Sequence, residues 1–182
     1  MKTILITGGA RSGKSRLAQE MAAKSGKRVL FVATAQAGDE EMHQRIAVHR
    51  KNRPVDWRTL ETPVDVGSHI LLEIDGRGVV LLDCLTLLLN NIVGEFLSAD
   101  GTDIDEKKAE QAVNREIDEL VRCIKSSKAD FIIVTNEVGL GLVPDNKLGR
   151  VYRDQLGKVN LVMAGVADEV YLMVAGLSIK VK

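Results

Sequence analysis

Residues 6–19, ITGGARSGKSRLAQ, carry the densest chemistry in the chain. Gly8, then Gly9, Ala10, Arg11 and Ser12, then Gly13-Lys14-Ser15, is the spacing of a phosphate-binding loop. Glycines let backbone N–H groups converge on phosphate oxygens, and a helix starting at Lys14 adds the positive end of its dipole. Lys14 then reaches the β- and γ-phosphates, and the Ser15 hydroxyl is a ligand for Mg²⁺. A glycine-rich turn with a chance Lys-Ser is the plainer reading, but the flanking strand and helix count against it. The motif selects nucleoside triphosphate binding. It does not select the reaction, because kinases, ATPases and GTPases all carry it.

Such a loop needs a second carboxylate for the metal, at the end of a neighbouring strand. VVLLDCLT offers Asp83 behind four apolar residues, with Glu137 in VTNEVG as a rival and a simple capping acid as the plainer alternative. A second cluster, RIAVHRKNRP, gathers Arg45, Arg50, Lys51 and Arg53 around His49. Cations so grouped would steer a triphosphate and stabilise charge on a phosphoryl group in transfer. The same run reads equally well as a solvated basic helix face. Composition alone does not choose among His43, His49 and His69.

These residues need strands and helices to hold them. KTILIT (2–7) is a short apolar strand, and 14–25 places Leu17, Ala18, Met21 and Ala22 at helical spacing before Gly26. RVLFVAT (28–34), GVVLLDCLT (78–86) and DFIIVTNEV (130–138) read as buried strands. Residues 39–51 form a polar helical arm ended by Pro54. A helix runs through LLLNNIVGEFL, a long amphipathic one spans 105–127, and another spans 147–167. EVYLMVAG and SIKVK close the chain as a strand and its hairpin partner. There is no internal repeat, linker or boundary. The expectation is one α/β P-loop NTPase domain over residues 1–182, RecA-like, with a mainly parallel sheet flanked by helices.

With 25 basic and 25 acidic residues, no global field favours nucleic acid or anionic lipid. No 18-residue apolar span reads as a membrane helix. Cys84 and Cys123 have neither disulfide nor metal spacing, so the expected setting is a reducing cytoplasm.

Together ITGGARSGKS, VATA, RIAVHRKNRPVDWRTLETP, LLDCLTLLLNN, VTNEVGLGLVP, YRDQLGKVN and ADEVYLMVAGL resemble the bifunctional adenosylcobinamide kinase/adenosylcobinamide-phosphate guanylyltransferase family of cobalamin biosynthesis. The resemblance implies two reactions: phosphorylation of adenosylcobinamide by ATP or GTP, then transfer of GMP from GTP to that phosphate with release of pyrophosphate. It implies a covalent GMP–histidine, and RIxxHxxxRP selects His49. It also implies nucleotide contacts from the loop, from Thr34, Ala35 and Gln36, from Arg50, Lys51, Asn52 and Arg53, and from Glu61 and Asp83. Glu61 suits the N1–H and N2 amine of guanine. Asn136 and Glu137 lie at the end of a predicted strand, where α/β proteins place ligands, and would position the substrate hydroxyl or a water; VTNEVG reads equally well as a structural turn. A homotrimer is implied too. The rivals are a P-loop kinase without guanylyl transfer and a nucleotide-binding module akin to recombination ATPases. Aromatics at 3% argue against single-stranded DNA as the latter's partner. Transfer through lysine would need a KxDG sequence, which is absent.

Overall fold

The computed structural model describes residues 1–182 except 37, 39, 41, 42, 45, 46, 48, 49, 51 and 52. Short β-branched runs form the strands: β1 (Thr3–Gly8), β2 (Val29–Ala33), β3 (Arg58–Glu61), β4 (Val79–Asp83), β5 (Asp130–Val134), β6 (Glu169–Val174) and β7 (Leu177–Lys180). They pair in one sheet of order β3-β2-β4-β5-β1-β6-β7. All neighbours are parallel except β6 and β7, which form an antiparallel hairpin. The helices between them are α1 (Lys14–Lys24), α2 (Val66–Glu73), α3 (Leu85–Gly94), α4 (Glu106–Ser126) and α5 (Lys147–Val166).

Strand alternation divides the core into two layers. Ile6, Phe31, Leu81, Ile132 and Val134 pack with Ala18 and Ala22 of α1 on one face. Leu5, Leu30, Val80 and Ile133 face the other way, onto Leu88, Leu120 and Leu156 of α3, α4 and α5. Both faces of the central strands are therefore covered, which is why these strands are continuously apolar.

Two elements lie outside the sequence expectation, β3 and α2. The first, RTLE, is a mostly exposed edge strand with no apolar run to betray it. Helix α2 (VGSHILLE) starts after Asp65, whose φ of 53° is left-handed and whose side chain makes no cap bond. Its cap comes from α4: Glu116 accepts the N–H groups of Asp65 and Val66, each at 2.8 Å. The expected 78–86 strand stops at Asp83, and Leu85 already begins α3. The expected 130–138 strand stops at Val134, yet Thr135 N–H donates to Ile6 O and Glu137 N–H to Gly8 O, both at 3.0 Å. The β5 path thus continues beside β1 past the last formal strand residue. Within the expected 39–51 arm, Glu40, His43, Gln44, Ala47 and Arg50 are helical.

Candidate active site

The phosphate loop after β1 and Asp83 at the end of β4 emerge at one edge of the sheet, where β5 also ends. Gly8 has φ 145°, and a β-carbon there would meet the carbonyl oxygen of Met173 at 2.4 Å. Only glycine fits between the two strands. Gly13 is left-handed at φ 95° and precedes α1 without a capping side chain. The first N–H groups of that helix are thus left to an anion. The β6–β7 turn supports the loop from behind. Ala175 and Gly176 both have positive φ, 50° and 85°, as a two-residue hairpin turn requires, and Gly176 N–H donates to Ser12 O at 3.1 Å.

Lys14 is buried, and its ammonium donates to Gly9 O at 2.6 Å. Desolvation lowers its pKa below the ordinary lysine value, opposed by the field of Cys84 and of Asp83. A triphosphate would return to this ammonium the charge partners that burial removed. Asp83 continues the alternation of Val79 and Leu81, both in the α1-side core, and so faces Lys14. Ser15 and Asp83 are hard oxygen donors of the kind Mg²⁺ prefers, so the residues fit that ion. Among the described residues there is no group of three or more His, Cys, Asp or Glu side chains to bind a metal by themselves. That composition suits an ion held partly by substrate phosphates.

Thr34 does structural work. Its hydroxyl donates to Cys84 O at 2.7 Å and accepts Cys84 N–H at 3.0 Å, locking the end of β2 onto the turn after Asp83. Asn91 on α3 bridges two turns with one amide nitrogen, to Thr34 O at 2.8 Å and Pro63 O at 2.9 Å. It thereby couples the 34–36 segment to the end of β3. Ala35 is half-buried and Gln36 exposed beside it. Among the loop residues Gly9, Ala10 and Arg11 are exposed and Ser12 is buried.

Two members of the basic cluster, Arg50 and Arg53, reach the same edge. The guanidinium of Arg50 grips Glu61 at the end of β3 with two bonds, Nε to Oε1 at 2.8 Å and Nη2 to Oε2 at 2.6 Å. Glu61, expected to read guanine, is held here by arginine. Arg53 lies over the Phe31 ring at 4.0 Å, and Phe31 stacks on Trp57. Burial lowers the Arg53 pKa, opposed by the fields of Glu61 and Asp83. His49, Lys51 and Asn52 lie outside the described residues. The other histidines stand apart: His43 is exposed, and His69 Nδ1 pairs with the Thr62 hydroxyl at 2.8 Å. Asn136 and Glu137 follow β5, between the loop and the Asp83 turn. Glu137 Oε1 accepts the N–H of Gly139 at 2.6 Å and shapes its own loop.

Burial pushes both Cys84 and Cys123 thiols up to about 11, which leaves them unreactive. No described helix is long and apolar enough to cross a membrane. Nothing local in the sequence announces the distant partners of Asn91 and Glu116; the sequence predicts the β6–β7 hairpin, though not the support that its Ala175–Gly176 turn gives Ser12.

Comparison with known proteins completes the description. Residues 4–181 match the profile of the family described as cobinamide kinase / cobinamide phosphate guanyltransferase. The chain is 42% identical over 180 residues to the bifunctional adenosylcobalamin biosynthesis protein CobU of Escherichia coli, covering 98% of this chain and 99% of that one. It is 43% identical over 178 residues to the bifunctional adenosylcobalamin biosynthesis protein CobP of Pseudomonas aeruginosa, covering 98% and 96%. Among solved structures, the flagellar accessory protein FlaH of Methanocaldococcus jannaschii superposes with TM-score 0.51 at 16% identity, over 100% of this chain and 78% of that one. The RadB recombinase does so with TM-score 0.50 at 13% identity, over 94% and 73%. These two bear on the fold alone, and they bear out the RecA-like expectation.

Proposed function

Given that the chain belongs to the cobinamide kinase / cobinamide phosphate guanylyltransferase family, and so is a bifunctional enzyme of adenosylcobalamin biosynthesis, we propose that a single triphosphate seat serves both of its reactions. Residues 1–182 act as one nucleotide-binding domain. In the kinase step the acceptor hydroxyl attacks the γ-phosphorus. In the transferase step His49 attacks the α-phosphorus: the imidazole N–P bond forms, the α–β bridge breaks, and pyrophosphate leaves with the electron pair. The phosphate of adenosylcobinamide phosphate then attacks that phosphorus and the N–P bond breaks. One difficult displacement becomes two easier ones.

The chain's own groups divide the work. Backbone N–H groups of Gly8–Ser15 and the Lys14 ammonium hold the phosphates and offset the charge of departing pyrophosphate. Ser15 and Asp83 would hold Mg²⁺, which supplies neutralisation of phosphate oxygens. Thr34–Gln36, Arg50–Arg53 and Glu61 form the nucleoside side. Guanine N1–H and N2 would replace the Arg50 guanidinium on the Glu61 carboxylate, freeing Arg50 for phosphate, an exchange adenine cannot make. The observation that carries the reading is that bidentate pair. It ties the residue next to His49 to the same edge of the sheet as the P-loop. The family resemblance extends the reading to a cytoplasmic homotrimer, whose mass light scattering reads directly.

The test is radiolabel transfer. Protein and Mg²⁺ are incubated with GTP labelled at the α- or the γ-phosphate and then denatured. Label retained from α alone, acid-labile, base-stable and absent in His49→Ala, is the expected result. Retention by His49→Ala, or none in wild type with the kinase step intact, would remove His49 from the mechanism.

A further inference from the structure

The sheet order puts β5 between β4 and β1, so the chain leaving β5 passes between the Asp83 turn and the phosphate loop. Asn136 is fixed there on every side by its backbone. Its neighbours Thr135 and Glu137 donate their N–H groups to Ile6 O and Gly8 O on the β1 side. Its own N–H points the opposite way, to the Thr86 hydroxyl at 2.9 Å, and its carbonyl accepts from Asn160 Nδ2 at 2.9 Å. Thr86 is itself buried, and its carbonyl receives the Tyr152 hydroxyl at 2.9 Å. Thr135 turns its hydroxyl to Asn160 on the α5 side, at 2.7 Å. Because the β1 ladder continues through Glu137, alternation sends the Asn136 side chain to the other face, that of Ile132, Val134 and α1. Lys14 and Asp83 lie on that face. Among the described residues the Asn136 carboxamide makes no hydrogen bond, although four groups (from Ile6, Gly8, Thr86 and Asn160) hold the backbone around it.

We infer that Asn136 is a catalytic residue of the kinase step alone, its carboxamide N–H donating to an oxygen of the γ-phosphoryl group in flight. This rests on the shared-seat reading above. In that step the acceptor oxygen–γ-phosphorus bond forms, the bond from the β–γ bridging oxygen to γ-phosphorus breaks, the nucleoside diphosphate keeps the electron pair, and the hydroxyl proton passes to water. A carboxamide neither takes nor gives a proton at neutral pH, so its contribution is a fixed dipole. It is preorganised by the backbone clamp and does not move to meet the developing charge. During guanylyl transfer no bond to γ-phosphorus changes, so the same contact is uniform in ground and transition states and does not accelerate that step.

The experiment compares Asn136→Ala and Asn136→Asp with wild type in two assays on the same preparations: phosphorylation of adenosylcobinamide, and formation of α-labelled guanylyl-protein. The expected result for Asn136→Ala is a kinase kcat lower by roughly 100-fold, KM for the nucleotide within about threefold, and guanylyl-protein formation within about threefold. Asn136→Asp, of the same shape, should lose more kinase activity than Asn136→Ala because its carboxylate faces phosphate oxygens. A kinase kcat within threefold of wild type in Asn136→Ala would overturn the inference. So would equal losses in both assays by both variants, the mark of a structural role. Wild-type protein that forms no guanylyl-protein would defeat the shared seat instead, leaving the kinase comparison readable by itself.

Discussion

Glu116 offers a test of whether one helix is capped by another. The residue is 6% exposed, yet its side chain accepts two backbone N–H groups at the start of α2, where the natural capping position, Asp65, contributes no side-chain bond. Glu116→Ala leaves the Val66 N–H, which is buried, without an acceptor, at about 1–3 kcal/mol. The Asp65 N–H is nearer solvent and can be hydrated, so its loss is about 0.5–1 kcal/mol, in the range of a weak cap. Against this, the substitution removes a carboxyl whose pKa is raised by desolvation, a sign that the site costs something to charge. The balance is a loss of about 2–3 kcal/mol, which for a chain of this size lowers Tm by about 4–12 °C. Denaturant unfolding should show a lower midpoint with unchanged slope. Glu116→Gln keeps one acceptor but turns an NH₂ toward a donor, and should fall between. A Tm for Glu116→Ala within about 2 °C of wild type would refute the capping argument, since it would mean α2 starts unaided.

Other outcomes follow from the same geometry. Gly8→Ala forces a β-carbon to within 2.4 Å of the Met173 carbonyl at an unfavourable φ; stability should fall by about 3 kcal/mol or more, and a fluorescent-GTP titration should weaken by on the order of 100-fold. Glu169 is held to a pKa of about 2, first by Lys180 and then by Lys2. Its ordinary value is 4.5, so the stabilisation it provides is present above that pH and is lost as pH falls toward 2. Glu169→Gln should therefore flatten the acid limb of a stability–pH curve between those values, and it should flatten the alkaline limb as well, because Glu169 in turn raises the pKa of Lys180 and contributes to raising that of Tyr171.

The sequence disclosed what local rules govern. The P-loop could be read because its residues fall within a dozen consecutive positions at a spacing that phosphate binding dictates, and β1, β2, β4 and β5 because burial on both faces leaves an unbroken apolar run. The place of Asp83 at the end of β4 was legible by the same logic, as the first acid after such a run. β3 and α2 were not, because their places are fixed from outside: β3 by one parallel neighbour, α2 by a carboxyl 50 residues downstream. Asn91, 57 residues from Thr34, is invisible for the same reason. Family resemblance supplied His49, where spacing had left a solvated basic face equally good.

The position of β1 also governs when the site can exist. Its hydrogen-bonded neighbours are β5 and β6, whose residues begin at Asp130 and Glu169, so Thr3 finds its partners Phe131 and Asp168 only after the long stretch between them has been made. The carbonyl packed against Gly8 belongs to Met173, and the turn propping Ser12 comes later still, at Gly176. During synthesis the phosphate-binding segment thus leaves the ribosome well before the residues that shape it. A polypeptide cut short before the β6–β7 hairpin carries the motif without Met173 and Gly176, the residues that shape it.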